Sequence, residues 1–425
     1  MTPLAAPSVT ALAMGDPLRA PLLLHELEQR YLLWDAFVGG QRRVDLHPII
    51  LPEPLHRRAV AAAESVARAI GRAAARAHDD REERARYRLP ASAERLAEAS
   101  RFAHDDAALV RVDLLLRTDG EFCACEVNAD CPGGHNEALG LPRLARGAGF
   151  ARGYDPTNVV AALARRLAVL SRAPDGAPGA VGIVYATAYA EDLQVCALVR
   201  RELRQLGVEA VLAPPTAPVR GEDGSVSIRG VPIRALYRYF PAEYMDGQAN
   251  VGGLAEAIAG GTLRTLSSFA HVYAQSKLSF ARAHALAPSL DAPDRDAVAR
   301  HVPETFDLLE VPESSLRRDR AEWVVKRAYG RVGEDVLVGA VVPAEAWPLA
   351  LDAALAERRA GESWIAQRFV PQRAIETPWG PRFLTLGAYV LDGSFAGYFA
   401  RVTPQSHVGH DALVLPVFVQ EDGTP

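Results

Sequence analysis

Cysteine, excess positive charge and long apolar runs are all scarce in this chain, and each shortage excludes a class of protein. Four cysteines in 425 residues cannot form a disulfide framework. A net charge of -5 and a pI near 6.2 argue against a dedicated nucleic-acid binder. No stretch approaches the roughly 18 apolar residues of a membrane span. Residues 1–20 lack the basic start and apolar core of a secretory signal, so we expect a cytoplasmic chain without membrane partners.

Lysine is almost missing as well. It occurs only at Lys277 and Lys326, while arginine supplies nearly all the positive charge. A lysine within a motif-like sequence is therefore stronger evidence for a functional site here than it would be in a lysine-rich chain. The length, with 49% hydrophobic and 23% charged residues, suits a globular protein of two or three lobes.

Periodicity predicts a mixed order of helices and strands. Helices are predicted at 55–78, with an apolar stripe through Val60, Val66 and Ile70, and at 91–103, 190–206, 252–259 and 268–285. Strands are predicted at 180–185, 208–213, 323–328, 363–370, 382–391 and 394–403, with Asp392-Gly393 as a hairpin turn. The β-α-β unit at 180–213 is Rossmann-like, but without a GxGxxG sequence it predicts architecture rather than dinucleotide binding.

A hairpin at 110–128 carries the first candidate site. Alternate strand residues share a face, so Arg111 and Asp113 point together, as do Glu126 and Asn128 on the partner strand. Two carboxylates and an amide oxygen are hard ligands that suit Mg²⁺, and an arginine suits a phosphoryl group. The alternative is an exposed face with a solvated ion pair, and the spacing leaves both interpretations open.

A zinc site is the competing hypothesis for the same region. Cys123, Cys125, Cys131 and His135 are close in sequence, but the Cys-x2-Cys spacing of structural zinc sites is missing. A Cys-x-Cys pair on a strand would also point to the face opposite the carboxylates. We therefore expect small buried thiols.

Lys326 carries the second candidate site. It follows three apolar residues and precedes a loop with Gly330 and Gly333, a pattern typical of a strand that delivers a lysine to phosphate beneath a glycine-bearing loop. The loop is not a Walker A motif. Lys277 stands at a predicted helix start and, taken alone, is a solvated lysine.

Arg401 ends a strand on which Phe395, Gly397 and Phe399 share its face. It is either a snorkelling side chain or a buried anion clamp, and the sequence leaves both open.

In this order the motifs resemble the synthetase domain of glutathionylspermidine synthetase and the wider circularly permuted ATP-grasp proteins. The resemblance covers most of residues 105–425. It rests on R-x-D at 111–113, E-x-N-A-D at 126–130 followed by C-P-G-G-H-N-E-A, Y-R at 237–238, S-K at 276–277, V-K-R-A-Y-G-R-x-G at 325–333, and G-Y-F-A-R at 397–401.

The resemblance implies an α/β fold of the ATP-grasp type, circularly permuted, with a small Rossmann-like subdomain. The implied units are an N-terminal helical segment packing on the core at 1–104, a magnesium-binding hairpin with an acceptor loop at 105–175, the Rossmann-like subdomain at 176–250 and a nucleotide-binding lobe at 251–425. The resemblance implies that Asp113, Glu126 and Asn128 are Mg²⁺ ligands and that Arg111 and Arg401 contact the γ-phosphate and the acyl phosphate. It implies nucleotide-phosphate contacts for Lys277 and Lys326. Gly330, Arg331 and Gly333 would form a flexible loop, and Gln367 would contact adenine. Residues 131–137 are implied only as the region where an acceptor substrate approaches.

The implied activity is an ATP- and Mg²⁺-dependent ligase that joins a small-molecule carboxylate to an amine through an acyl phosphate. Alternatives are a phosphotransferase with a non-amine acceptor and a non-catalytic ATP-binding module of the same fold. The sequence departs from the family at 131–134, C-P-G-G, where the family has a serine-bearing loop. Residues 1–100 contain no cysteine and are predicted to be helical, so we expect no amidase half such as the one that precedes the synthetase in the two-headed enzymes. We therefore expect neither glutathione nor spermidine as the substrate, and a homodimer is left open.

Overall fold

A computed structural model describes residues 8–15, 21–101, 108–330, 335–407, 409 and 412–421. Its α-helices are α1 Pro21–Tyr31, α2 Glu53–Asp79, α3 Arg81–Tyr87, α4 Ala91–Arg101, α5 His135–Gly147, α6 Val159–Leu170, α7 Ala190–Gln205, α8 Val251–Ala259, α9 Val272–Gln275, α10 Leu278–Leu286, α11 Ala292–His301, α12 Glu313–Arg318 and α13 Trp347–Ala360. The first strands are β1 Thr10–Ala11, β2 Phe37–Val38, β3 Gln41–Arg42, β4 Ile49–Pro52, β5 Leu109–Leu116, β6 Phe122–Asn128, β7 Ala180–Tyr185, β8 Ala210–Ala213, β9 Val219–Arg220, β10 Val226–Ile228 and β11 Val231–Tyr239. The later strands are β12 Arg264–Leu266, β13 Thr305–Asp307, β14 Trp323–Arg327, β15 Val336–Val338, β16 Trp364–Arg368, β17 Ala374–Ile375, β18 Arg382–Leu391, β19 Ser394–Thr403, β20 Leu413–Leu415 and β21 Val417–Gln420.

A central antiparallel sheet in the order β20-β19-β18-β5-β6 joins the early hairpin to the late one. Val112 and Leu114 of β5 and Leu386 of β18 lie in one core cluster with the buried residues of α2. Because side chains alternate along a strand, their neighbours point to the opposite face. Helix α2 therefore covers one face of the sheet, and the opposite face carries the polar side chains. Part of that opposite face, at Leu109, Tyr389 and Phe399, packs in a second core cluster with α5 and α6.

The predicted helix over 55–78 is confirmed as α2, which is longer by a few residues. It begins after Pro52 and has a proline in its first turn, where the missing N–H costs nothing. Val66 and Ile70 are fully buried and Val60 lies at the edge, while alanines complete the buried stripe. Small side chains let the helix approach the sheet closely.

A second sheet contains the predicted β-α-β unit. Strands β8, β7 and β11 are parallel, β12 adds a further parallel neighbour to β11, and β10 and β9 extend the sheet antiparallel. Helix α7 ends just before Gly207, whose φ of 73° suits the predicted C-terminal glycine.

A third, four-stranded antiparallel sheet has the order β13-β16-β14-β15 and packs against α13 through Trp347 and Trp364. It contains the predicted strands over 323–328 and 363–370. The predicted hairpin of 382–391 and 394–403 is confirmed in full, with positive φ at both Asp392 and Gly393.

Two expectations about secondary structure were wrong. The helix predicted over 268–285 is broken into a 3-10 turn, α9 and α10, because Ser276 is extended and the amide of Lys277 bonds to the carbonyl of Ala328 at 2.9 Å. The N-terminal segment is not purely helical, since β4 pairs in parallel with β21 from the other end of the chain.

The boundaries near 104, 175 and 250 stay predictions. Among the described helices, none is both long enough and apolar enough to cross a bilayer.

Candidate active site

Three rows of side chains cross the face of the central sheet that lies opposite α2. Residues that pair directly across strands share a face. From β6 to β19 the rows are Asn128–Arg111–Tyr389–Gly397, Glu126–Asp113–Gly387–Phe399 and Cys123–Leu115–Thr385–Arg401. The structure thus brings the predicted metal ligands and both predicted arginines onto one surface.

Two β-bulges correct the predicted faces. Cys125 has no partner on β5, so Cys123 lies on the carboxylate face, contrary to the expectation from simple alternation. A second irregularity at Ala396 removes Phe395 from the face of Arg401. Phe395 instead packs against His56 of α2, with ring centroids 5.5 Å apart.

Asp113 is fully buried and is held by both arginines. Arg111 donates from Nε to Oδ1 at 2.7 Å and from Nη2 to Oδ2 at 2.9 Å, and Arg401 donates from Nη2 to Oδ2 at 2.6 Å. Burial disfavours the charged guanidinium of Arg111, but Asp113 outweighs it and raises its pKa. Both arginines also lie over the ring of Phe399, at 5.0 and 5.5 Å from its centroid.

Glu126 is surrounded by cations. Burial alone would raise its pKa, but Lys277, Lys326 and the two arginines hold the pKa well below its ordinary value. Lys277 Nζ lies 3.4 Å from Glu126 Oε2 and donates to the carbonyl of Gly330 at 2.7 Å. Both lysines of the chain therefore lie at one carboxylate, which is ionised.

Lys326 reaches the site from the four-stranded sheet. Its Nζ donates to Gln367 Oε1 at 2.8 Å and to the carbonyl of Cys125 at 3.1 Å. Gln367 Nε2 in turn donates to Thr305 Oγ1 at 3.1 Å. Burial lowers the pKa of Lys326. Gln367 thus positions Lys326, and the adenine contact of Gln367 stays a prediction.

An open cleft lies between the central sheet and the four-stranded sheet at these side chains. Glu126, Lys326 and Arg401 line its charged part. Its apolar part is lined by Leu115, Pro303, Val324, Val336, Val338, Phe369 and Val370. A cleft lined by both apolar and cationic side chains suits a ligand that combines a flat base with phosphates.

The predicted glycine loop is described only at its start. Gly330 lies against Lys277, as its carbonyl contact shows. Arg331 and Gly333 lie outside the described residues, so their roles stay predictions.

No family model matches the chain, and no curated protein matches it. Among solved structures, the chain is similar to a glutathione synthetase-like effector from Globodera pallida in its apo form. The TM-score is 0.59 and the identity 12%, over 96% of this chain and 98% of that chain. A protein provisionally named γ-glutamylcysteine synthetase, from Methylobacillus flagellatus KT, is similar at a TM-score of 0.42 and 17% identity, over 72% of this chain and 77% of that chain.

The chain has the fold of a glutathione synthetase-like protein. At 12% identity the first likeness shows the fold alone, and the second is too low for an argument. Neither structure is named for glutathionylspermidine synthetase, so that resemblance stays a prediction.

The side chains at the cleft include groups whose chemistry suits Mg²⁺ and a phosphate group. Asp113, Glu126 and Asn128 lie together and carry oxygen atoms of the hard type that Mg²⁺ prefers. Asn128 presents Nδ2 to Glu126 Oε1 at 3.4 Å, so its amide would have to turn for Oδ1 to serve as a ligand. Arg401 Nε is buried without a hydrogen-bond partner, which leaves a donor for an incoming anion.

The four residues of the zinc hypothesis do not form a metal group. Among the described residues, no three His, Cys, Asp or Glu side chains converge as metal ligands. Cys131 packs against the core cluster that contains Cys196, and burial raises the pKa of Cys123 and of Cys125 to about 12.

Two residues that support the site were missed from the sequence. Gln275 accepts from the amides of Ala129 and Asp130, at 2.9 and 3.0 Å, and so fixes the end of β6 next to Lys277. Tyr389 donates to the carbonyl of Gly133, which also accepts from Arg111 at 3.0 Å. Only the position of Gln275, two residues before Lys277, signalled its role.

Proposed function

We propose that the chain is an ATP-dependent ligase of the ATP-grasp type, circularly permuted, which joins a carboxylate to an amine. The observation that carries the proposal is the convergence of two carboxylates and four cations, of which Glu126, Lys326 and Arg401 line one cleft together with apolar side chains. The fold of a glutathione synthetase-like protein supports it.

The side chains would act by position and charge. Asp113, Glu126 and Asn128 would hold Mg²⁺, which when bound neutralises charge on the phosphates. Lys277 and Lys326 would bind nucleotide phosphates, and the apolar side chains of the cleft would bind the base.

Arg111 and Arg401 would steady the γ-phosphate while a substrate carboxylate oxygen attacks it, giving an acyl phosphate and ADP. The amine then attacks the acyl carbon, an amide forms, phosphate leaves and the amine loses a proton. No protein nucleophile takes part, so the rate gain comes from orientation and from stabilisation of developing charge.

Transfer of ¹⁸O tests the acyl phosphate directly. With ATP, Mg²⁺ and pools of ¹⁸O-labelled carboxylates and amines, we expect ADP release and ¹⁸O in the inorganic phosphate. ADP release without ¹⁸O transfer would contradict the carboxylate step. Transfer that needs no amine would favour the phosphotransferase alternative.

Asn128→Ala tests the metal assignment. We expect it to abolish turnover with a smaller loss of ATP binding. Asn250→Ala is the matched control, because Asn250 bonds to the carbonyl of Pro215 at 2.9 Å and is absent from the cleft lining. Full turnover in Asn128→Ala would show that the metal assignment is wrong.

A further inference from the structure

Cations already occupy the oxygens that the proposed function assigns to the metal. Asp113 has both carboxylate oxygens bonded, Oδ1 to Arg111 and Oδ2 to Arg111 and Arg401, and its side chain is 0% exposed. A divalent ion cannot reach either oxygen while this clamp is closed.

The second carboxylate is covered in the same way. Glu126 faces Lys277 Nζ at 3.4 Å through Oε2 and Asn128 Nδ2 at 3.4 Å through Oε1. Asn128 thus turns its amide nitrogen toward the carboxylates, and Nδ2 also lies 3.5 Å from Asp113 Oδ2. Both carboxylates are therefore engaged by donors, and the third assigned ligand, Asn128, is one of those donors.

The cations of these pairs are the same groups that the proposed function assigns to phosphate. We propose, on the basis of that function, that Arg401 and Lys277 occupy the carboxylates in place of the metal. When the metal binds Asp113 and Glu126, Arg401 and Lys277 leave these carboxylates and bind the phosphates. Divalent metal and triphosphate therefore enter the site together, and each binds poorly without the other.

Charge balance explains the coupling. Four cations face two carboxylates at the site, so a metal ion alone adds positive charge to an excess of cations. A triphosphate alone competes with the carboxylates for the same four cations. Together, the two ligands exchange partners with the ion pairs and leave no buried charge uncompensated. Such coupling is reciprocal, and its usual size is about 5- to 150-fold in affinity.

Binding of Mn²⁺ without nucleotide tests the exchange in the full chain. Free Mn²⁺ is counted by electron paramagnetic resonance, and ATP binding is measured separately in EDTA. We expect wild type to bind nucleotide-free Mn²⁺ weakly. Arg401→Gln removes one of the two donors to Asp113 Oδ2. Mn²⁺ should therefore bind about 5-fold tighter or more, within the usual range of coupling, while metal-free ATP binds more weakly. In Arg401→Gln combined with Asp113→Asn, the gain in Mn²⁺ affinity should disappear.

Arg368→Gln is the matched charge control. Arg368 lines the same cleft, but it pairs with Glu304 and Glu322 at the surface rather than with a proposed ligand. The Arg368→Gln substitution removes one positive charge and leaves the donors to Asp113 in place, so Mn²⁺ affinity should stay at the wild-type value. Thermal melts check that each variant folds.

Three results would overturn the exchange: equal Mn²⁺ affinity in wild type and Arg401→Gln, an equal gain in Arg368→Gln, or Mn²⁺ binding to wild type that ATP does not strengthen. The last uses no variant and so does not depend on variant folding. A chain that couples Mn²⁺ and ATP but releases no ADP with any substrate pool would contradict the ligase and leave the exchange standing. Normal ADP release with unchanged Mn²⁺ affinity in Arg401→Gln would contradict only the exchange.

Discussion

Lys277 Nζ lies 3.4 Å from Glu126 Oε2, although one residue begins a helix and the other lies on a strand 151 positions earlier. Lys326 comes to the same carboxylate from a third element. Because the chain contains no other lysine, its two ammonium groups report on one site.

Amine acetylation should therefore be a site-specific probe. ATP should protect both lysines: at about 100 times its Kd, ATP leaves about one hundredth of the site free, so labelling should slow by a similar factor. Mass spectrometry of the acetylated peptides measures this, and the N-terminal amine serves as the internal control. Equal labelling with and without ATP would contradict the phosphate roles of both lysines.

Gly387→Ala should disrupt the Asp113 clamp. A Cβ at Gly387 would lie 2.8 Å from Arg111 Cδ and 3.0 Å from Asp113 Oδ1. We expect a loss of about 1–3 kcal/mol in the free energy of unfolding, typical of overpacking, together with weaker ATP binding. Urea melts and calorimetry measure the two effects.

Gly71→Ala is the glycine control. Gly71 lies within α2 with nothing near its added Cβ, so the same change should stabilise the chain by about 0.5–1 kcal/mol. If both variants shift the melt alike, packing at Gly387 is not the cause.

Arg238→Met should cost about 3–5 kcal/mol, because it leaves Asp130 buried without its cation. Arg238 and Asp130 are both fully buried and form an ion pair, and Asp130 also accepts from the amide of Ala242 at 2.9 Å. Denaturant melts measure the cost. Arg300→Met, in an exposed pair with Asp296, should change stability by less than about 1 kcal/mol.

The stability of the chain should fall as pH rises toward neutrality because of Glu137. Burial, and then the nearby Asp35, raise its pKa from 4.5 to about 7. The folded state therefore holds the proton more tightly than the unfolded state. Its contribution is complete below about pH 4.5 and is lost as pH rises through 7, by up to about 3 kcal/mol at 1.36 kcal/mol per pKa unit. Glu137→Gln should flatten this slope in urea melts at pH 5 and 7.5, and an unchanged slope would exclude Glu137 as its source.

Gln367→Met separates two roles of one side chain. Loss of its bond to Lys326 should weaken ATP and GTP binding by a similar factor, about tenfold or more for a bond to a charged group of about 1.5–3 kcal/mol. An adenine contact would instead weaken ATP alone. Calorimetry with both nucleotides decides between them.

The sequence predicts the strands of the site well, because alternation along a continuous strand is a local property. Arg111 and Asp113 share a face as expected. Prediction of the faces from the sequence fails where one extra residue changes the alternation, as at Cys125 and Ala396. Such a bulge depends on pairing partners elsewhere in the chain.

Parallel pairing over long distances is also invisible locally. Residues 49–52 have an apolar character but no nearby partner, and only the structure shows that β21 provides one. Likewise, the clamp of Asp113 could not be predicted, because the residues 111 and 401 that close it are brought together only by the β5–β18 and β18–β19 pairings.

The pairing of β5 with β18 has a consequence for synthesis. β5 ends at Leu116, and its neighbour β18 begins only at Arg382. At about 5–20 residues per second, a ribosome needs on the order of 10–50 s to make the intervening chain. During that time β5 has an open edge on the side that later carries β18, and such edges invite pairing with other chains. A nascent polypeptide of this protein therefore carries Asp113 and Glu126 long before Arg401 is made, and we expect it to need protection until the hairpin of β18 and β19 emerges.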